Sequence, residues 1–96
     1  MRIIAKRTLR EFWVIDSDSE QPLKAWHQEA ARADWSNPAE VKAQCRNVFT
    51  VGDRVVFNIA GNKYRLVAWI NYPHRIVYVK FIGTHKDCDK IDVRTV

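Results

Sequence analysis

The sequence predicts an α+β domain: an N-terminal strand and two to three helices packed on an antiparallel β-sheet, with a short helical turn at the C-terminus. Two patterns carry this prediction. Up to about residue 45, helix start signals recur, and residues 23–33 have the three- and four-residue apolar spacing of an amphipathic helix. From Arg54 onward, runs of β-branched and aromatic residues alternate with turn residues, as in consecutive antiparallel strands. Helices followed by strands are typical of the α+β class.

The first elements are a short strand and a helix. Residues 2–5, RIIA, have the composition of a strand. Thr8 and Glu11 in the segment TLRE have the spacing of a capping box, which predicts that the first helix begins there, ahead of Phe12 and Trp13.

Two further helices are predicted before the sheet. Pro22 suits the first turn of a second helix, whose apolar face is marked by residues recurring at three and four positions: Leu23, Trp26, Ala30 and Ala33. Asn37 is a good cap residue, followed by Pro38 at the first helical position and Glu40 three residues after the cap. A short third helix should therefore run to about Cys45.

Three strands, VVFNI, YRLVAWI and IVYVKFI, should form a meander. Gly61 and Asn62 between the first two predict a two-residue hairpin with a type II′ turn. Because the turn fixes the register, Asn58 should face Arg65 on one side of the sheet. The pairs on the other side would be Ile59 with Tyr64, Phe57 with Leu66, and Val55 with Ala68.

The second connection decides which residues of the last strand share a face. A four-residue loop from Asn71 to His74 would pair Ile70 with Arg75, whereas a five-residue loop would pair Ile70 with Ile76. The shorter loop is preferred because it completes a wholly apolar core face. In that register Phe81, Val79 and Val77 lie opposite Tyr64, Leu66 and Ala68.

The same register lines up Asn58, Arg65 and Lys80 across the second face, with Lys63 one step along. Cations directly opposite each other destabilise a sheet unless an anion lies between them. That anion could be the phosphate of a ligand, or a carboxylate of the chain such as Asp87 or Asp89.

Composition narrows the class of protein. Ninety-six residues suit a single domain, 1–96, and 16 Lys and Arg against 11 Asp and Glu give a net charge of +5, which favours polyanionic partners. No signal-peptide h-region and no apolar run of membrane-spanning length are present, so we expect a cytoplasmic protein that does not enter a membrane. Cys45 and Cys88 should be free thiols.

The stretch GTHKDCDKID contains the most reactive groups. His85 and Cys88 lack the paired short spacings of zinc sites, so no metal is expected, and no base or oxyanion signature marks either cysteine as a nucleophile. His85 follows the last strand, close to Lys80 and Arg65. RNA carries its own nucleophile, the 2′-hydroxyl, so proton transfer by a histidine and cations around the phosphate would suffice for cleavage.

Four segments in order resemble HigB-type toxins of the RelE/ParE superfamily: MRIIAKRTLREFW, the helical pattern A-D-W-x-x-P-A-E-V-K-A-Q, VVFNIAGNKYRLVAWINY and IVYVKFIGTHKDCDKID. The resemblance implies a RelE-like fold and a toxin encoded beside a helix-turn-helix, HigA-like antitoxin, with which it could form a hetero-oligomer. It also implies ribosome-dependent cleavage of mRNA without metal or cofactor, leaving a 2′,3′-cyclic phosphate and a 5′-hydroxyl.

Carried over to this chain, the resemblance assigns catalysis to Arg65, which would stabilise transition-state charge, and to His85 as general acid or base. The phosphate-binding helpers would be Asn58, Lys63, Lys80 and Lys86. Relatives tend to have tyrosine where this chain has Cys88. Two alternatives share the fold: a toxin acting on gyrase, as the ParE branch does, and a weakened copy that only binds antitoxin.

Overall fold

The computed structural model describes all residues, 1–96, as one five-stranded sheet with helices on it. The strands run in the spatial order β1-β5-β4-β3-β2, and only the β1–β5 pair is parallel. This confirms the predicted α+β architecture. The elements in chain order are β1 (Arg2–Ile4), α1 (Lys6–Ile15), a 3₁₀ turn (Ser17–Ser19), α2 (Glu20–Arg32), α3 (Pro38–Gln44), β2 (Val48–Val51), β3 (Arg54–Ile59), β4 (Tyr64–Asn71), β5 (Ile76–Thr84) and α4 (His85–Asp89).

The main core lies between the sheet and helices α1 and α2, and we call this side of the sheet the helix face. Fifteen buried residues form one cluster there. Phe57 lies at its centre, with the ring of Trp26 edge-on at 5.3 Å and that of Trp35 stacked at 6.1 Å. The helical residues of the cluster include Leu9 and Trp13 of α1 and, as the apolar spacing predicts, Leu23 and Ala30 of α2.

The helix starts follow the sequence in part. The predicted cap of α3 is confirmed, since Asn37 Oδ1 accepts a hydrogen bond from the Glu40 backbone N–H at 3.0 Å. The capping box proposed for α1 is wrong: the helix begins at Lys6, before Thr8. The Thr8 backbone N–H donates to Ala5 O at 3.2 Å, and the Glu11 carboxylate accepts from Arg7 Nε at 2.9 Å, one turn earlier.

One strand, β2, was not predicted from the sequence. Its four residues form the edge of the sheet and pair with β3 through a tight turn that places Val51 opposite Arg54. Gly52 takes a φ of +61° there, a conformation that glycine adopts without strain. The pair Gly52-Asp53 between two β-branched runs was the available signal for this hairpin.

The predicted register between β3 and β4 is confirmed, including Asn58 opposite Arg65. Gly61 has a φ of +69°, and the Lys63 N–H donates to Ala60 O across the turn at 3.3 Å.

The predicted register between β4 and β5 is wrong. The strands extend to pair Asn71 with Ile76, so that Ile70 faces Val77 instead of Arg75, and the four-residue loop lies one residue further on. A β-bulge then inserts Lys80, since Ala68 pairs with Val79 but Val67 pairs with Phe81. One extra residue moves every later side chain to the other face.

The bulge therefore takes Phe81 out of the helix-face core and onto the opposite side, which we call the tail face. Here α4 and the last residues of the chain cover a second, smaller cluster. Its buried members are Val56, Val67 and Cys88, with Phe81 and the tail valines packed around them. No helix of the protein has the length and apolarity needed to cross a bilayer.

Candidate active site

Arg65 lies at the centre of the site, on the tail face of β4. Its Nε donates to Asn58 Oδ1 at 3.2 Å, and the guanidinium carbon is 5.5 Å from the centroid of the Phe49 ring. The side chain is only 20% exposed, yet neither Nη group makes a hydrogen bond. Asn58 and Phe49 thus hold the guanidinium in place while its outer N–H donors stay available to a ligand oxygen.

His85 is positioned by the start of α4. Thr84 and Asp87 form a capping box, each side chain accepting the other's backbone N–H at 3.2 Å. The His85 backbone N–H donates to Lys63 O at 3.2 Å, which attaches the helix to the β3–β4 hairpin. The first residue of α4 is therefore fixed next to the strand that carries Arg65, and its imidazole is 43% exposed.

Asp89 joins the two predicted catalytic residues. Its Oδ2 is 3.3 Å from His85 Nδ1, one helical turn away, and its Oδ1 is 3.8 Å from Arg65 Nη1. Of the two carboxylates considered from the sequence, Asp89 lies beside Arg65, whereas Asp87 is used in the helix cap. The predicted proximity of Arg65 and His85 is thus observed, with a shared carboxylate between them.

Gly83 makes this arrangement possible and was missed in the sequence. It pairs with Arg65 across the sheet, in the place predicted for Lys80. A Cβ added to Gly83 would lie 2.7 Å from Phe81 Cζ and 3.0 Å from Asp87 Cβ. A residue without a side chain here lets both the Phe81 ring and α4 approach the strand.

The predicted lysines are dispersed. Lys63 binds Asp18 Oδ2 at 3.2 Å, and this hydrogen bond raises the pKa of the Lys63 ammonium. Lys80, displaced by the bulge, has its ammonium 5.8 Å from the centroid of the Tyr78 ring and does not face Arg65 as predicted. Lys86 is exposed on α4, next to His85. Of the three, only Lys86 shares a helix with His85.

The cysteines show no sign of catalytic use. Cys88 is 4% exposed and lies on the buried side of α4, so the position where the resemblance implies tyrosine points into the tail-face cluster. Burial, together with a hydrogen bond to Glu29, raises the pKa of Cys45 to about 12, which keeps its thiol protonated. No group of three or more His, Cys, Asp or Glu side chains is placed to share a metal ion.

The surface around Arg65 and His85 is open rather than a cleft. Two concave regions, of about 320 and 580 Å³, lie along α2 and contain neither Arg65 nor His85, although Asn58 borders the first. An open surface suits a segment of a long polymer better than a small molecule, which would need an enclosing pocket.

Comparison with known proteins identifies the family of the chain. The chain is 27% identical over 94 residues to a protein from Escherichia coli O6:H1 (strain CFT073) named mRNA interferase HigB, and the match spans 95% of this chain and 91% of that protein. Residues 19–91 match the family HigB_toxin, described as the RelE-like toxic component of a toxin-antitoxin system. That match contains β2 to β5, α2, α3 and α4, and with them Arg65, His85 and Asp89. The chain therefore belongs to the HigB toxin family of toxin-antitoxin systems.

Proposed function

We propose that this toxin is an endoribonuclease that cleaves mRNA on the ribosome, without a metal ion or cofactor. The observation that carries the proposal is the meeting of Arg65 and His85 at one carboxylate on the open surface of a protein with a net charge of +5. Membership of the toxin family and the name of the E. coli relative support it. Arrest of translation in the cytoplasm would follow from loss of intact mRNA.

The chemistry uses the 2′-hydroxyl of the RNA as nucleophile. Its oxygen attacks the adjacent phosphorus, its proton passes to a base, and the 5′-oxygen leaves with a proton from an acid. The products are a 2′,3′-cyclic phosphate and a 5′-hydroxyl. His85 serves as the general acid or base, since its imidazole is accessible and histidine is a common proton-transfer group.

Arg65 stabilises the charge that builds up on the phosphate. Its free Nη donors can approach two non-bridging oxygens, and the hydrogen bond to Asn58 orients the guanidinium before the substrate arrives. Such preorganisation matters because donors already in place need no rearrangement as the charge develops.

Asp89 has two consequences for this mechanism. When His85 carries its proton on Nδ1, that N–H faces Asp89 Oδ2, which leaves Nε2 for the substrate. The other oxygen lies near the Arg65 Nη1 that a phosphate would occupy, so the carboxylate competes weakly with the substrate for the same cation. Asp89 is thus a positioning residue that also tunes phosphate binding.

The remaining cations act at longer range. Lys86 extends the positive surface beside His85, and the net charge of +5 favours the approach of RNA. Lys63 and Lys80 contribute to this field from either side of the site rather than by touching the phosphate beside Arg65. A helix-turn-helix, HigA-like antitoxin with acidic or apolar residues would neutralise the surface in a toxin-antitoxin hetero-oligomer.

Primer extension on mRNA after brief expression tests the proposal. Discrete cuts that require translating ribosomes are expected. DNA damage with intact mRNA would instead favour the gyrase-directed function of related folds.

A comparison of growth arrest tests the site itself. His85→Ala and Arg65→Ala should both abolish arrest while folding is kept, and Lys90→Ala serves as a control that removes an exposed cation just beyond α4. If all four proteins are equally toxic, the two residues have no part in the mechanism. If the unmodified protein causes no growth arrest but still binds the antitoxin, it is a catalytically weakened copy of the toxin.

A further inference from the structure

Two aromatic rings lie side by side on a part of the tail face that α4 and the tail leave uncovered. Trp69 on β4 and Tyr78 on β5 are direct cross-strand partners, with ring centroids 5.4 Å apart and planes inclined by 35°. Both are partly exposed, and neither belongs to the apolar cluster of either face. Trp69 lies four residues beyond Arg65 on the same strand, roughly 13 Å away.

Cations border the two rings. Lys80 lies two residues beyond Tyr78 on β5, with its ammonium 5.8 Å from the ring centroid, and makes no ion pair. Arg2 is exposed on the parallel neighbour β1, opposite Ile76 and on the same face as Tyr78. It also makes no ion pair.

On the opposite side of the rings, the one nearby cation, Arg54, is already bound within the protein. Arg54 pairs with Trp69 across the sheet, but its guanidinium binds Val96 O at 2.8 Å and Asp53 at 2.8 Å. The free positive charge is therefore on the β5 and β1 side, at Lys80 and Arg2.

Flat rings beside unpaired cations are the combination that binds single-stranded nucleic acid, because bases stack on the rings while phosphates approach the cations. A cross-strand aromatic pair also stabilises a sheet. That role alone leaves unexplained why the rings stay partly exposed beside an unpaired lysine.

We propose that Trp69 and Tyr78, with Lys80 and Arg2, form a stacking platform for unpaired bases of the mRNA strand that flanks the cleaved phosphate. The inference rests on the proposed function, since it assigns a second contact to the same substrate. It gives Lys80 a ligand-binding role at a place different from the one predicted beside Arg65.

Tryptophan fluorescence offers a direct test because Trp69 is the only partly exposed tryptophan. The other three, Trp13, Trp26 and Trp35, are 9%, 7% and 2% exposed. A short single-stranded oligonucleotide of 2′-O-methyl ribonucleotides, which lacks the nucleophile and cannot be cleaved, should quench the fluorescence. Trp69→Leu should lose the quench and bind at least about fivefold more weakly, whereas Trp69→Phe, which keeps a ring, should bind nearly as well as the unmodified protein.

Thermal unfolding of both variants shows that the sheet is intact, and Tyr78→Leu provides an independent second variant. Equal binding by the Leu and Phe variants, or quenching by duplex RNA as strong as by the single strand, would overturn the platform. So would loss of antitoxin binding in Trp69→Leu with unchanged oligonucleotide affinity, which would make this face a protein interface.

The two proposals can fail separately. If the protein cleaves mRNA and Trp69→Leu cleaves it with unchanged rate and half-saturating concentration, the platform is wrong and the function stands. If the protein never cleaves mRNA but binds the single-stranded oligonucleotide in a ring-dependent way, the rings bind unpaired bases and the proposed function is wrong.

Discussion

Replacing Asp89 with Asn separates the two consequences assigned to this residue. The amide keeps an oxygen that can accept the His85 Nδ1–H but removes the negative charge beside Arg65. We therefore expect the variant to saturate at lower concentrations of mRNA-programmed ribosomes, while its maximal rate changes little. Asp89→Ala removes both features and should lower the maximal rate as well.

The size of the effect follows from the distance. Unit charges 3.8 Å apart attract by ~1.1 kcal/mol at the dielectric constant of water. The Asp89 side chain is 59% exposed, and exposed ion pairs are measured at about 0.2 to 1 kcal/mol. Removing an ion pair worth up to about 1 kcal/mol, which competes with the substrate for Arg65, lowers the half-saturating concentration up to about fivefold. Added salt should shrink the difference between the variant and the unmodified protein.

Steady-state cleavage on programmed ribosomes measures both quantities. Asp92→Asn is the matched control, because it makes the same change in net charge at an exposed site without a contact to Arg65. A rise in the half-saturating concentration for Asp89→Asn would refute the reasoning, since it would mean that the carboxylate helps to bind the substrate. An identical shift of the half-saturating concentration in Asp92→Asn would show that the effect comes from net charge alone and not from the contact with Arg65.

Two further predictions concern folding and reactivity. Gly83→Ala should lower the free energy of unfolding by about 1 to 3 kcal/mol, measured by urea denaturation, because the new methyl group would lie 2.7 Å from Phe81; unchanged stability would show that the contact relaxes freely. With a pKa raised from 9.0 to about 12, Cys45 should have about a thousandfold less thiolate at pH 8 than an unfolded thiol and react slowly with a disulfide reagent until the protein is denatured. Because folding raises the pKa of this thiol, its protonation contributes to the free energy of unfolding. The contribution is complete below pH 9.0 and is lost as the pH rises towards 12. Fast labelling of Cys45 in the native protein would contradict the raised pKa.

The sequence predicted what local chemistry specifies. Gly61 and Asn62 fixed the β3–β4 register, because a two-residue turn leaves one possible pairing. Asn37 fixed the start of α3 through a hydrogen bond of its own side chain. In both places the deciding interaction lies within a few residues of the signal.

The predictions that were wrong concern features that depend on packing between residues distant in the sequence. The bulge at Lys80 has no marker in the sequence, and it forms where the Phe81 ring joins the tail-face cluster around Val67 and Cys88. Those partners come together only after the tail folds back over the sheet. In the site, Gly83 therefore lies opposite Arg65, where Lys80 was predicted.

Asp89 was within reach of prediction. Once Thr84 and Asp87 are recognised as a capping box, His85 and Asp89 stand four residues apart on one face of the same helix. Whether that carboxylate would also reach Arg65 depended on the register, which the bulge changes.

Single-turnover cleavage of mRNA on programmed ribosomes tests the central claim most directly. With end groups read from the products, the unmodified toxin should yield a 2′,3′-cyclic phosphate and a 5′-hydroxyl. His85→Ala and Arg65→Ala should each slow that step by about a hundredfold or more. Lys90→Ala should cleave normally. Cleavage by both site variants at the unmodified rate, or products with a 3′-hydroxyl and a 5′-phosphate, would contradict the mechanism.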